Sequence, residues 1–152
     1  MVTRVIVKDD MVYSRCERGS VKAWSIRSGD LIYEIEHESD VEDIIIGRKG
    51  TPLENRLFTM CYEVCRLSNL ETGTEMKKIN FEEEGCNSLA IDQTQTVIAI
   101  STYEGVAFIE TSTFTKVKEL PLEYSVDSFA FNKSNDCLVA TINDEIHTFK
   151  FG

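Results

Sequence analysis

A chain of 152 residues, 42% hydrophobic and 28% charged, can bury a core as one ordinary domain or a small repeat array, and its composition excludes a disordered segment. Its net charge of −10, from 26 acidic against 16 basic residues, argues against nucleic acid or an anionic membrane as a partner, because both are held through Lys and Arg density. No apolar run approaches the roughly 20 residues that span a bilayer, and no basic start followed by a long apolar segment opens the chain. A cytoplasmic protein is therefore expected, with the nucleus as the other compartment open to it.

The first unit covers about residues 1–38. Val2, Val5 and Val7 begin an extended segment closed by the polar turn Lys8-Asp9-Asp10. Met11 to Cys16 reads as a second strand, with Glu17-Arg18-Gly19 as a tight turn. Val21 to Ile26 is a third, ended by Arg27-Ser28-Gly29-Asp30. Leu31 to Ile35 alternates apolar and polar residues and reads as a half-exposed fourth strand.

The second unit, about 39–84, repeats the first. Val41, Ile44 and Ile46 reproduce the offsets of Val2, Val5 and Val7. A longer loop from Gly47 to Arg56, holding Pro52, is the clearest insertion in the chain. Leu57 to Tyr62, Val64 to Leu67 and Glu75 to Phe81 complete four strands, and Glu82-Glu83-Glu84-Gly85 links onward. The third unit, about 85–124, has Cys86, Leu89 and Ile91 at the same offsets, then Thr96 to Ser101, Val106 to Glu110 and Lys116 to Leu120. The fourth, about 125–152, has Val126, Phe129 and Phe131, then Cys137 to Thr141 and Ile146 to Phe151, with no fourth strand.

A short third-strand motif ties the units together. Gly19-Ser20-Val21-Lys22-Ala23-Trp24 has weaker copies at Glu63 to Leu67, Gly105 to Ile109 and Glu145 to Phe149. Aligning Val21, Val64, Val106 and Ile146 gives a period near 40, the signature of a repeat array. The second strands carry small residues at one matched position, Cys16, Cys61, Ser101 and Thr141. The expected fold is all-β: an array of four four-stranded antiparallel sheets, the last lacking its outer strand.

These features resemble the blades of WD-repeat β-propellers: four strands per unit, apolar third strands, and a Thr/Ser-Gly turn before the outer strand. Gly19-Ser20-Val21-Lys22-Ala23-Trp24-Ser25 stands where that family carries Asp-Gly-x-Ile-x-x-Trp-Asp. Leu67, Ile109 and Phe149 replace the Trp elsewhere. His37 is the one echo of the family's Gly-His pair, and Glu17, Glu63, Glu104 and Asp144 take the place of its turn Asp. The resemblance implies an incomplete Asp-His-Ser/Thr-Trp network and a stability that rests on packing between blades. A four-unit array can be a fragment of a longer propeller, a partial propeller completed by itself or a partner, or a small closed ring.

No glycine-rich phosphate loop, GxSxG, HExxH or clustered carboxylates are present, and no cofactor is expected. Five cysteines without paired close spacing read as reduced structural thiols, and no metal site is expected. The resemblance implies a non-catalytic interaction scaffold or adaptor with its partner face on one loop rim. The candidate contact residues there are Arg18, His37, Asp40, Tyr62, Glu82, Glu83, Glu84, Tyr103, Glu104 and Tyr124. Their acidic balance points to a protein partner with a basic surface or peptide, and the exposed tyrosines are candidate anchors. The alternative is a propeller enzyme or small-molecule binder acting through the central channel, where the first strands carry only Arg4, Glu42, Asp43 and Asp127 as charges.

Overall fold

The computed structural model describes residues 1–81 and 84–150. Fifteen strands form four antiparallel sheets, and no helix occurs among the described residues. The first sheet holds β1 (Val2–Lys8), β2 (Met11–Cys16), β3 (Ser20–Ser25) and β4 (Leu31–Glu36). The second holds β5 (Val41–Ile46), β6 (Arg56–Cys61), β7 (Val64–Asn69) and β8 (Glu75–Asn80). The third holds β9 (Cys86–Ile91), β10 (Val97–Thr102), β11 (Gly105–Glu110) and β12 (Thr115–Pro121). The fourth has β13 (Ser128–Phe131), β14 (Cys137–Ile142) and β15 (Glu145–Lys150). Every pairing joins strands consecutive in the chain, so each sheet is a meander. No helix is long and apolar enough to cross a membrane.

Tight turns set these meanders. Asn143 and Asp144 both have positive φ, 51° and 64°, the backbone of a two-residue hairpin turn whose twist suits the flanking strands. Outer strands β4, β8 and β12 are mostly exposed, whereas β6, β10 and β11 are buried along almost their whole length. Strands buried on both faces lose the apolar–polar alternation that would mark their orientation.

Three cores lie between consecutive sheets. Tyr13, Val21 and Ala23 of the first sheet pack on Val41, Ile44 and Leu57 of the second. Phe58, Met60, Cys65 and Leu67 on the far side of the second meet Ile98, Ile100 and Ile109 of the third. Ala90, Ala99 and Phe108 of the third meet Phe129, Leu138 and Ala140 of the fourth. Each sheet thus has a leading face toward the one before and a trailing face toward the one after.

The offsets of the first strands hold. Val5, Ile44, Leu89 and Phe129 pair with Ser14, Thr59, Ile100 and Ala140 at matching places in their sheets. The third-strand alignment needs a correction in the second sheet. Val21 pairs with Arg15, Cys65 with Met60, Val106 with Ser101 and Ile146 with Thr141, so Cys65, and not Val64, is the counterpart of Val21. Leu67 accordingly lies on the trailing face, and Ser68 takes the place of Trp24 on the leading face. A one-residue slip turns every side chain to the opposite face. The slip was invisible because Val64 is apolar where Ser20, Gly105 and Glu145 open the other third strands. The matched small residues divide the same way: Cys16 and Cys61 share their place with Thr102 and Ile142, while Ser101 and Thr141 face the other side.

Turns at one end also tie neighbouring sheets together. Lys8 Nζ donates to the Gly47 carbonyl at 2.6 Å, Arg48 N–H to Gln95 Oε1 at 2.7 Å, and Gln93 N–H to Asn135 Oδ1 at 3.1 Å.

Candidate functional site

At the opposite end, the turns between second and third strands meet the linkers between sheets. One hydrogen bond recurs there. The N–H of the residue just beyond the fourth strand donates to a turn carbonyl: His37 to Gly19 at 2.7 Å, Phe81 to Glu63 at 2.7 Å, and Leu122 to Glu104 at 3.1 Å. His37, Phe81 and Leu122 are therefore structural counterparts, a relation their differing chemistry concealed in the sequence.

The expected contact residues fall into three groups along this end. Arg18 and Asp40 form the first: the Arg18 N–H donates to Asp40 Oδ1 at 3.1 Å, which pins the linker to the turn. Both side chains are exposed, and Arg18 helps line a groove of about 510 Å³ with Cys16, Lys22, Glu34 and His37.

His37 is half-buried, and what it turns to the groove is not its polar atoms. Its two ring nitrogens are buried and have no hydrogen-bond partner. Burial, aided by the Arg66 guanidinium, lowers its pKa from 6.5 to about 4. The ring is a neutral packing group where the counterparts are Phe81 and Leu122. On acidification the unfolded chain takes up the proton first, so stability is full above pH 6.5 and falls between 6.5 and about 4. The loss should reach about 2 kcal/mol after allowance for partial exposure. Urea melts of the wild type and His37→Leu should then diverge across this window, the variant losing less; parallel curves would refute this role for His37.

Tyr62, Glu84, Tyr103 and Glu104 form the second and densest group. Tyr62 and Tyr103 sit in adjacent two-residue turns, exposed, with their rings edge to face at 6.1 Å. Between them runs the linker, held by Tyr103 N–H to the Glu84 carbonyl at 2.9 Å and Gly85 N–H to the Phe81 carbonyl at 2.9 Å. Gly85 has φ of +61°, and a Cβ there would lie 2.9 Å from both tyrosine rings. Glycine is what lets the rings close over the chain. Beneath them Lys116 Nζ pairs with Glu84 at 3.0 Å and Glu119 at 2.5 Å and stands 5.1 Å from the Phe81 ring centre. Burial alone would lower the Lys116 pKa, but the Glu119 and Glu84 carboxylates outweigh it and hold the ammonium charged. Glu84 is therefore engaged in an ion pair within the chain, while Glu63 and Glu104 stay exposed beside the rings. Glu82 and Glu83 lie outside the described residues.

Tyr124 stands apart as the third group. It is exposed at the mouth of a groove of about 300 Å³, between the third and fourth sheets, lined also by Leu122, Ile142, His147 and Phe149.

Two other sets of residues bear on chemistry. Of the charges expected on the first strands, Arg4 forms an ion pair with Asp43, Glu42 is exposed on β5, and Asp127 is exposed just before β13, outside the strand. The five cysteines are free thiols. Burial raises Cys65 well above its ordinary value and Cys61 to about 11, so neither supplies a thiolate near neutral pH. Among the described residues no group of three or more His, Cys, Asp or Glu could hold a metal ion.

No protein-family description and no curated protein matches the chain. Its fold is similar to the crystal structure of the computationally designed Ika4 protein, with a TM-score of 0.80 at 16% identity over 100% of this chain and 92% of that one. It is also similar to the computationally designed Ika8 protein, with a TM-score of 0.78 at 16% identity over 99% of this chain but 46% of that one. Identity this low carries the likeness of fold alone.

Proposed function

We propose that the four sheets are blades of a β-propeller of the WD-repeat kind, and that the chain is a non-catalytic scaffold that docks a basic protein segment on its turn-and-linker rim. The likeness to designed proteins over the whole chain supports the architecture. Trp24 donating to Ser14 Oγ at 3.2 Å is one leg of the hydrogen-bond network such blades use, and it ends there because His37 bonds to nothing through its ring.

The observation that carries the binding reading is the Tyr62–Tyr103 pair. Two exposed, mutually packed rings bridge adjacent blades, pre-ordered over Gly85 and flanked by Glu63 and Glu104. Rigid aromatics lose little entropy when covered, and they make good anchors. The carboxylates beside them would accept hydrogen bonds from Lys or Arg and hasten encounter. An array of Lys/Arg-rich peptides, read by fluorescence anisotropy, tests this. Binding should weaken at least tenfold in the Tyr62→Ala/Tyr103→Ala double variant. Neutralising Glu63 and Glu104 should flatten its salt dependence. No binding by any basic peptide, or binding indifferent to both changes, would refute the reading.

A further inference from the structure

The stack has two uncovered faces: the leading face of the first sheet and the trailing face of the fourth. No core joins them among the described residues. Both keep the apolar character of positions that are buried or half-buried at the junctions between sheets. On the leading face, Val5 is 55% exposed, whereas its counterpart Ile44 is 1% exposed and Phe129 is buried. Val12 is half-buried, whereas its counterparts Leu57, Ile98 and Leu138 are each 0% exposed. On the trailing face, Ile146 is 77% exposed, against 0% for Val21, 0% for Cys65 and 2% for Val106. Val139 is also exposed, and its counterparts Tyr13, Phe58 and Ala99 are buried.

The two faces repeat a junction the chain already makes. Where the third sheet meets the fourth, a trailing face of Ala90, Ala99, Val106 and Phe108 packs on Phe129, Leu138 and Phe149. The open trailing face presents Ala130, Val139, Ile146 and Thr148 in the places of those four, and the open leading face presents Val5, Val12 and Trp24 in the places of those three. Two like faces placed together would repeat no junction of the chain.

The Ika8 likeness, in which this four-sheet array fits 46% of a longer chain, shows that the arrangement of sheets is compatible with a chain about twice this length.

We propose that two copies of this chain join head to tail, the trailing face of each fourth sheet covering the leading face of the other copy's first sheet, to close a ring of eight sheets. The contact joins two different surfaces, and it closes because it occurs twice about one two-fold axis. This inference rests on the repeat register and is independent of what the tyrosine rim binds.

Light scattering on a sizing column tests it. The wild type should run at twice 17.3 kDa. Trp24→Asp and Ile146→Asp should each halve that mass while keeping the wild-type far-UV spectrum; if either fails to fold, Val7→Lys or Val139→Lys takes its place. An equal mixture of the head and tail variants should regain the doubled mass, because one of the two contacts then joins unaltered faces. A wild type at 17.3 kDa at micromolar concentration overturns the proposal. So does a dimer that Trp24→Asp breaks and Ile146→Asp leaves intact, which would mean like faces in contact. A mixture remaining at the single mass overturns it too.

Discussion

Phe58→Ala should destabilise the protein by about 3 to 5 kcal/mol. Phe58 is fully buried on the trailing face of the second sheet and packs edge to face on Phe114 at 6.0 Å between ring centres. It belongs to the core that also holds Leu67, Ile98 and Ile109, so it joins the two middle sheets. Truncation removes the transfer energy of a phenyl ring and leaves a hole that stiff strands on both sides cannot close. Equilibrium urea unfolding measures the loss. A cost below about 1 kcal/mol would mean that the middle core relaxes, contrary to this packing. Phe58→Leu should cost clearly less, since most of the volume remains.

Gly47→Ala should cost about 3 kcal/mol or more, for a reason unrelated to apolar burial. Gly47 directly follows β5, where the inserted loop begins, and its N–H bonds the Arg56 carbonyl at 2.9 Å. A Cβ there would fall 1.6 Å from the Leu53 carbonyl oxygen and 2.3 Å from its carbon. Backbone atoms cannot swing aside as a side-chain tip can. The loop would have to lift, and it would withdraw Leu53, 1% exposed, from the middle core. The same movement would strain the bonds from Arg48 N–H and Thr51 Oγ1 to Gln95 Oε1 that tie the second sheet to the third. Thermal melts of Gly47→Ala beside Gly50→Ala make the comparison. The space around Gly50 is empty, although its φ of +77° still disfavours alanine. If Gly47→Ala proved the milder of the two, the loop would not be seated as described.

Much of the architecture was legible in the chain. The spacing of Val2, Val5 and Val7, repeated at Val41, Ile44 and Ile46, gave correct first strands: the last step of each keeps a strand's period of two, and the three-residue step before it spans a register shift in each strand. The register of β7 was not legible, because Val64 and Cys65 are both apolar and nothing local says which turns toward which neighbour. The rim was legible only as a set of turn residues. That Tyr62 and Tyr103 meet over Gly85 depends on contacts between two turns and a linker that are distant in sequence. The packing role of His37 was not legible, because its chemistry outweighed its position; its buried ring nitrogens and its counterparts Phe81 and Leu122 reveal it. Glu84 looked like one of three equivalent acidic side chains until Lys116 claimed it.

The meander topology also bears on how the chain acquires its structure. Each strand pairs only with its sequence neighbour, and each core joins only consecutive sheets. Loops closed during assembly are therefore short, and the entropy of closing them stays small for a protein made wholly of strands. The middle pair of sheets holds the core containing Phe58 and the loop contacts of Gln95, which makes it the natural nucleus from which order spreads toward both ends. In a separated single copy, such as the Trp24→Asp variant, the terminal sheets, each with one uncovered face, would open first, and amide exchange should be fastest there and slowest in β6 and β10.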